Sequence, residues 1–577
     1  MGEVARLQHT PESLTVFQGV NLRRERLSLR DEDVARAINC DLHSQVGTAL
    51  LRRGRTLVYS LPSTATGRMR LQETLVGARY NVCGTVLYKN GTSLVTGLSA
   101  TLRTSLLALR PLQDTTTWVF IADESGMQKE VGGTVRTWGI APPGTAPVLA
   151  AGAAGALSGV YSVSFTYVRL DGTAIAHESN PSPTSADLTV TSTVISVSGL
   201  TASPDPQVTH KRLYRTVNGG STRLFDQQIT NATTTATLSV ADTALGSAVA
   251  TDNNLPSVAS VAVRHQEHVF LLDPANPDYL WWSKRFRPES VPTTNFLRIG
   301  SSDDPLNGLV SLVGLLGVFT LQTKYRVLGN DTSGFVHQEA LSSRGTPAPQ
   351  AALSTEKGCL FVARDGLFRT NFVQEDEELS GLIAPLFEGL TVNDYLPINW
   401  LAASTMELAY WKQRLYFAYP SGNATSPDML AVYSFHTSQW YFYQMAADAL
   451  YSDEASDQLW AGLGTDITAL ETGAGDLGGA ITMTLEPASR ALQSPFLRKR
   501  FDYLKVDATI PSGGLICEVY IDDVLIHYVT LLGTRTRRLL RLGGLQGFTW
   551  RVRLRYTGTA EVQIHGVEMQ AVALRAA

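Results

Sequence analysis

The feature of this sequence that most constrains its fold is a hydrophobic alternation with a period of two residues. Residues 56–60, 85–88 and 117–121 are rich in β-branched and aromatic side chains, which favour strands. Turn signals such as Asn90–Gly91 separate such runs at short spacing. We therefore predict an all-β protein.

Helix patterns are rare by comparison. Residues 29–37 (LRDEDVARA) predict two helical turns, and residues 379–390 predict a short helix. With 577 residues, the chain has room for three or four domains. Charged residues are only 17% of the chain, below the usual ~25%, which excludes a coiled coil and a charge-rich disordered chain.

Short strand groups recur at intervals of tens of residues. Residues 358–369 form a strand, an Asp-Gly turn and a second strand, and residues 413–420 and 429–442 repeat the cadence. Such spacing is typical of propeller blades. Composition shifts at 141–159 (Pro, Ala and Gly), interpreted as a linker or extended connection, and at 473–479 (GAGDLGG), interpreted as a flexible joint.

These patterns predict a β-propeller interrupted by a fibronectin- or immunoglobulin-like β-sandwich and followed by a C-terminal β-sandwich. The predicted boundaries are an N-terminal arm (1–34), a first propeller segment (35–145), the inserted sandwich (146–256), a second propeller segment (257–472) and the C-terminal sandwich or platform (473–577).

Motifs for common catalytic chemistry are missing from the sequence. It has no GxxxxGK[ST] loop, HExxH pair or EF-hand loop, and its four cysteines form no CxxC pair. We expect no cofactor and no metal, and we interpret the cysteines as buried free thiols of a reducing cytosol. The first thirty residues have no apolar core of a signal peptide and no run of ~18 apolar residues exists, so we expect no membrane insertion.

Two small groups could carry chemistry. His265 and His268 could share a metal on a helix, but their flanks predict a strand, where residues three apart face opposite sides, and we favour a structural pair. Asp303 and Asp304 could be an acid/base pair, yet a glycosidase needs carboxyls ~5–10 Å apart across a sugar. Adjacent aspartates cap turns through their side chains, and we favour that interpretation.

Two charged segments are candidates for subunit-interface or channel charge. Glu375, Asp376, Glu377 and Glu378 form an acidic run that predicts a solvated loop or, alternatively, a segment near an interface or lumen. Residues 490–577 hold thirteen basic and seven acidic residues, although the whole chain has a net charge of −4.

Within that basic stretch, alternation places three arginines on one face of a predicted strand at residues 550–556. The three are Arg551, Arg553 and Arg555. The opposite face is apolar, and the arginine face is either the wet side of a sheet or a stripe that pairs with an acidic subunit or touches DNA phosphates. Subunit pairing is favoured because no exposed aromatic residues interleave to stack on bases.

Several segments, taken in order, resemble the tail nozzle, or tail tubular hub, proteins of short-tailed (podovirus-type) bacteriophages. The segments are 38–41 with 47–59, 178–183 (ESNPSP) with 212–216 (RLYRT), 279–283 (YLWWS) with 288–289 and 299–300, and 342–345 (SSRG) with 365–367.

The resemblance implies a virion tail protein, assembled in the host cytoplasm, that is not an enzyme. It implies a homo-hexameric ring below the portal and a tail adaptor protein, which continues the channel for double-stranded DNA. Tail fibres or spikes would attach to the ring, and a tail needle or plug would be a further partner. A head-to-tail ring needs two different contact surfaces on each subunit.

Two other classes remain open from the residues. One is a propeller enzyme that degrades glycans, which would hold an acid pair in a cleft and release reducing sugar. The other is a carbohydrate-binding propeller with an adhesion-type sandwich, which would bind glycan as a monomer.

Overall fold

The computed structural model describes residues 10–492, 494–534 and 536–574. Strands dominate these residues, which confirms the all-β prediction. Their helices are one α-helix, α1 (Ala384–Phe387), and 3-10 helices at Arg26–Ser28, Asp242–Ala244, Gly381–Ile383 and Trp400–Thr405. The short helix predicted at 379–390 is thus confirmed.

The strands before residue 240 fall into two groups along the chain. The first group is β1 (Thr10–Leu14), β2 (Gly19–Val20), β3 (Asp33–Ile38), β4 (Cys40–Asp41), β5 (Ala49–Leu51), β6 (Arg55–Ser60), β7 (Met69–Leu75), β8 (Ala78–Cys83), β9 (Val86–Lys89), β10 (Thr92–Thr96), β11 (Ser105–Leu109), β12 (Trp118–Asp123), β13 (Gly126–Val131) and β14 (Thr134–Thr137). The second is β15 (Val148–Tyr161), β16 (Val163–Asp171), β17 (Ala174–Glu178), β18 (Leu188–Ser198), β19 (His210–Arg215), β20 (Leu224–Thr230) and β21 (Ala236–Leu238).

The later strands form three groups. The third group is β22 (Val261–His265), β23 (His268–Leu272), β24 (Tyr279–Trp282), β25 (Phe296–Arg298), β26 (Leu306–Leu312), β27 (Leu315–Thr320), β28 (Lys324–Asn330), β29 (Gly334–Glu339), β30 (Ala352–Thr355), β31 (Gly358–Ala363), β32 (Gly366–Thr370) and β33 (Glu377–Glu378). The fourth is β34 (Glu407–Trp411), β35 (Arg414–Tyr419), β36 (Met429–Ser434), β37 (Gln439–Tyr443), β38 (Ala449–Asp453), β39 (Gln458–Leu463) and β40 (Asp466–Leu470). The fifth is β41 (Ile481–Pro487), β42 (Lys499–Thr509), β43 (Leu515–Ile521), β44 (Val524–Leu531), β45 (Thr536–Gly547), β46 (Trp550–Gly558) and β47 (Gln563–Ala573).

The chain divides into two compact units. One comprises the chain up to Glu73, Tyr80–Gly84 and everything from Leu341 onward, and the other comprises Thr74–Arg79 and Thr85–Ala340. The second unit holds the inserted sandwich and the sheets of β11–β14, β22–β25 and β26–β29, and the first holds the sheets from β30 onward.

Four-stranded antiparallel meanders are the repeated building element. Within the described residues, consecutive strands form them at β7–β10, β11–β14, β22–β25, β26–β29, β30–β33 and β34–β37. A seventh sheet joins β38, β39 and β40 to β6, so an early strand completes a late meander. Four-stranded units of this kind are the blades of propellers.

Tight turns with left-handed backbone conformations connect the meander strands. Asn90 and Gly91, at φ 49° and 81°, form the predicted turn between β9 and β10. Gln266 and Glu267 do the same between β22 and β23, at φ 44° and 68°, although neither is a favoured residue for this conformation. The turn makes His265 and His268 direct cross-strand partners. The expectation that they face opposite sides is therefore wrong.

The inserted sandwich consists of the sheets β15-β18-β21 and β17-β16-β19-β20. Its buried core includes Phe165, Ile195 and Leu213. Residues 148–159 of the predicted linker belong to strand β15, so the linker interpretation is wrong for them. Their small side chains have a packing reason, because a Cβ on Gly155 would lie 2.6 Å from the Val194 side chain.

The C-terminal strands form two sheets that share one core with neighbouring strands of the same unit. One sheet runs β4-β5-β47-β42-β45, with β1 paired to β47, and the other ends in β3-β41-β46-β43-β44. Strand β3 replaces the helix predicted at 29–37, because burial of Val34, Ala35 and Ala37 between β41 and β37 overrides local propensity. Of the predicted arm, residues 1–9 lie outside the described residues, while β1 and β2 pair within these sheets.

Candidate functional site

Strand β46 carries the predicted arginine stripe. Its apolar face is buried, as the alternation predicted, with Trp550, Val552, Leu554 and Tyr556 at most 2% exposed. The opposite face carries Arg551, Arg553 and Arg555, and each of them meets carboxylates of the same chain.

Glu486 on β41 organises the N-terminal half of this stripe. Its side chain is fully buried, and its Oε1 accepts hydrogen bonds from Arg26 Nη1 at 2.6 Å and Arg551 Nη1 at 2.9 Å. Its Oε2 accepts one from Arg553 Nε at 2.9 Å. Arg551 also donates its Nε to Asp523 at 2.8 Å. A buried carboxylate with three guanidinium partners holds the 3-10 helix Arg26–Ser28, β41 and β46 together.

The third arginine of the stripe is neutralised by a different carboxylate. Arg555 Nη2 donates to Glu518, which also accepts from Tyr520 at 2.9 Å. Burial, and then the bond to Glu518, raises the pKa of Tyr520. Since all three predicted arginines already hold intramolecular carboxylates, they serve the fold. A role for Arg551, Arg553 and Arg555 at a subunit interface or channel stays a prediction.

The acidic run does not behave as one uniform loop. The Asp376 side chain is buried and lies 3.9 Å from Arg344 Nη1, while the Asp376 backbone nitrogen donates to Ser342 Oγ. Glu377 pairs with Arg369 across the edge strand β33. Glu375 and Glu378 are exposed, and no ion pair of theirs occurs among the residues described. Two of the four acids are therefore available to a partner.

The other candidates have structural partners. His265 Nδ1 contacts Ser311 Oγ at 2.9 Å, and His268 Nδ1 contacts the Ser283 carbonyl oxygen at 2.7 Å. Asp304 accepts from Thr320 Oγ1 at 2.6 Å in a turn closed on Ser301, which confirms the turn interpretation. Cys40, Cys83, Cys359 and Cys517 are buried, and none of these described cysteines forms a disulfide.

In the described ranges, no cluster of three or more His, Cys, Asp or Glu side chains has the geometry for holding a metal ion. None of the helices there has both the length and the apolar character needed to cross a membrane.

A polar cluster that sequence reasoning missed fixes the inserted sandwich; we call it the sandwich anchor. It consists of Asp114, Trp118, Lys129, Arg169, His177 and Glu289. Glu289 binds Lys129 Nζ and Arg169 Nη2, each at 2.8 Å, and Asp114 accepts from Arg169 Nη1 at 2.6 Å. Lys129 and Arg169 lie 4.6 and 5.2 Å from the Trp118 ring centroid. Arginine and histidine come from β16 and β17, and the others come from the meanders and their loops.

Burial shifts the titration of the sandwich anchor. It lowers the pKa of His177 to about 4 and that of Lys129 to about 8, the latter opposed by Glu289. Burial also raises the pKa of Glu289, but Lys129, His177 and Arg169 outweigh it and bring the pKa down to about 2. At pH 7 the anchor therefore holds charged Lys129 and Arg169, an ionised Glu289 and a neutral His177.

The last feature is a pair of strand edges, β44 and β45. Each is the outermost strand of its sheet, and its outer edge pairs with no other strand that the structure describes. We call residues 524–532 and 537–548 the C-terminal edge surface. Its exposed large apolar residues are Val524, Leu525, Tyr528, Leu532, Leu539, Leu545 and Phe548. The sequence analysis did not predict the C-terminal edge surface, because strands with alternating apolar residues normally pack into a core. Arg535 lies outside the described residues.

No protein-family model and no curated protein matches the chain. Among solved structures, it is similar to the extracellular domain of a putative one-component system from B. thetaiotaomicron, with 10% identity, a TM-score of 0.23 and 72% of this chain covered. The chain spans about half of that domain, 52%. It is also similar to an exo-β-1,3-galactanase from Phanerochaete chrysosporium, with 5% identity, a TM-score of 0.22 and coverage of 55% of this chain and 98% of the enzyme. For AztD from Citrobacter koseri, the identity is 10%, the TM-score 0.21, and the coverage 66% of this chain and 96% of AztD. At such TM-scores, these likenesses carry no argument about function.

Proposed function

We propose that this chain is a structural subunit of the tail of a short-tailed bacteriophage, where copies of it form a ring below the portal and adaptor. The sequence resemblance to tail nozzle proteins supports the tail assignment and the six-fold number. The C-terminal edge surface is the observation that carries self-assembly. The ring would continue the DNA channel, hold fibres or spikes, and meet a needle or plug.

Exposed strand edges are normally protected in soluble proteins, because their unpaired N–H and C=O groups recruit further strands. Here two such edges, β44 and β45, close the same end of a sandwich and carry seven exposed large apolar side chains. Large apolar side chains exposed on two neighbouring strands are typical of a protein–protein contact. A copy of the same chain is the occupant we propose.

Charge supplies the second surface that a head-to-tail contact requires. Arg538 and Arg541 on β45 are exposed, and neither has an ion-pair partner within the described residues of the chain. Glu375 and Glu378 are exposed and equally unpaired there. We propose that the C-terminal edge surface of one copy meets the acidic segment 375–378 of the next. Different surfaces on each subunit are what a closed ring needs.

The overall charge suits a conduit for DNA. Each phosphate contact by Lys or Arg adds affinity, and several such contacts bind DNA tightly. A chain with a net charge of −4, whose β46 arginines are already paired, does not hold passing DNA.

The test measures the oligomer by negative-stain imaging and by light scattering after gel filtration. The wild-type chain, alone or with its adaptor, should form rings with a central hole. Leu525→Glu and Tyr528→Glu should abolish the rings while leaving the fold intact. The matched control is Val313→Glu, because Val313 is fully exposed at another hairpin.

Two further measurements complete the test. One is the salt dependence of ring formation, and the other is an assay for released reducing sugar. Arg541→Glu should weaken rings most at low salt, since the proposed contact is partly ionic. Monomeric wild-type protein in the presence of adaptor would contradict the proposal. So would release of reducing sugar from host polysaccharide, which would support the glycan-degrading alternative.

A further inference from the structure

A cavity of about 350 Å³ lies beside Arg551, within the unit that holds β46. Its charged lining residues are Arg24, Glu25, Arg26, Asp523 and Arg551, and the apolar residues Leu27 and Val392 also line it. Cavities of this volume accept small molecules, and a few charged groups on an apolar wall fix a ligand's orientation.

Two of the arginines that line the cavity are held in place by hydrogen bonds to other residues of the chain. Arg26 and Arg551 both donate Nη1 to the buried Glu486 Oε1, at 2.6 and 2.9 Å. Their Nε atoms are also engaged, with Asn393 at 2.6 Å and Asp523 at 2.8 Å. Each guanidinium is thus oriented by two bonds before any ligand arrives.

The outer amino group of each guanidinium is still available. Within residues 10–492, 494–534 and 536–574, neither Arg26 Nη2 nor Arg551 Nη2 has a hydrogen-bond partner. The exposed Arg24 side chain, on the same cavity wall, makes no hydrogen bond or ion pair in those ranges either. Three of the residues that line this cavity are therefore arginines with guanidinium nitrogens that no described group engages.

We propose that this cavity binds the oxyanion group of a small organic molecule, a carboxylate or a phosphate ester. Guanidinium groups recognise both with paired, charge-assisted hydrogen bonds. The carboxylates of Glu25 and Asp523 share the lining, so one oxyanion group on an apolar body matches the cavity better than a polyanion. The proposal does not depend on ring assembly.

Isothermal titration calorimetry of the full-length protein tests the proposal, with inorganic phosphate and acetate as separate probes at constant ionic strength. We expect saturable binding of at least one probe, and the two arms distinguish phosphate from carboxylate recognition. A binding ligand should also raise the thermal midpoint, beyond the effect of chloride at equal ionic strength.

Arg24→Ala is the informative variant, because its side chain supports no described contact and its loss should not disturb folding. It should weaken binding about tenfold, the value of one charge-assisted hydrogen bond. Arg23→Ala is the matched control, since Arg23 is exposed next to Arg24 but does not line the cavity. Equal affinity of the two variants, or no saturable binding of either probe to the wild type, would overturn the proposal.

Discussion

The inserted and C-terminal sandwiches manage their charges and edges in opposite ways. In the inserted sandwich, Arg169 and His177 are buried in a closed ionic anchor, and the edge strand β15 is built mainly of alanine and glycine. In the C-terminal sandwich, the edges β44 and β45 present large apolar side chains and arginines without partners in the described chain. The two sandwiches thus differ. The inserted sandwich pairs its buried charges internally, whereas the C-terminal sandwich exposes apolar side chains and arginines to which a partner could bind.

Buried charge within the C-terminal sandwich offers the strongest test of this contrast. Glu486→Ala should lower the free energy of unfolding by about 3–5 kcal/mol, because it leaves Arg26, Arg551 and Arg553 without their shared buried partner. Urea denaturation followed by tryptophan fluorescence measures the loss.

The matched control is Glu377→Ala, which removes the partner of Arg369 in an exposed pair. This variant should lower the free energy of unfolding by about 1 kcal/mol or less, which is the usual contribution of an exposed ion pair. Equal losses for the two variants would show that Glu486 does not organise the arginine stripe.

Acid should weaken the inserted sandwich through its anchor. His177 has a pKa of about 4 in the fold, against an ordinary 6.5, so the unfolded chain binds its proton first as pH falls. The stabilisation is fully present above pH 6.5 and is lost between 6.5 and 4, on the order of 3 kcal/mol. Glu289, with its pKa lowered from 4.5 to about 2, extends the loss below pH 4.5.

Unfolding free energies at pH 7, 6, 5 and 4 measure this effect. His177→Gln should flatten the decline between pH 6.5 and 4.5. It should also reduce the loss below pH 4.5, because His177 contributes to the lowered pKa of Glu289. A variant that declines as steeply as the wild type would remove His177 from the explanation.

How far the sequence could predict these regions depends on the range of the interactions involved. Alternation along β46 correctly placed four apolar residues inside, because the period of a strand is a local property. Neutralisation of the arginines by Glu486 was not predictable, since Glu486 lies 65 residues from Arg551. The sandwich anchor likewise joins Arg169 to Glu289, 120 residues later.

Turn chemistry limited the prediction of the meanders. Asn90–Gly91 indicated its hairpin, whereas Gln266–Glu267 and Lys412–Gln413 adopt left-handed conformations that their residue types do not favour. Packing of the paired strands imposes these turns, so turn residues alone reveal only some of the meander hairpins. Strand β3 is a further case, where burial between strands outweighed a helix-like local pattern.

The smallest expected effect concerns strand β15. It tests whether close packing requires the small residues of this strand or whether they only make the strand flexible. Its Gly155 faces β18 so closely that an added Cβ would lie 2.6 Å from Val194 Cγ1 and 2.8 Å from the Val194 backbone nitrogen. The backbone of Val194 cannot move away without disturbing the pairing of β15 with β18. We therefore expect Gly155→Ala to lower the free energy of unfolding by about 1–3 kcal/mol through overpacking. Gly144→Ala is the control, because a Cβ there meets nothing within 4 Å. If both variants unfold at the wild-type urea concentration, the small residues of β15 do not reflect close strand contact, and the contrast with the large apolar residues of β44 and β45 loses its packing basis.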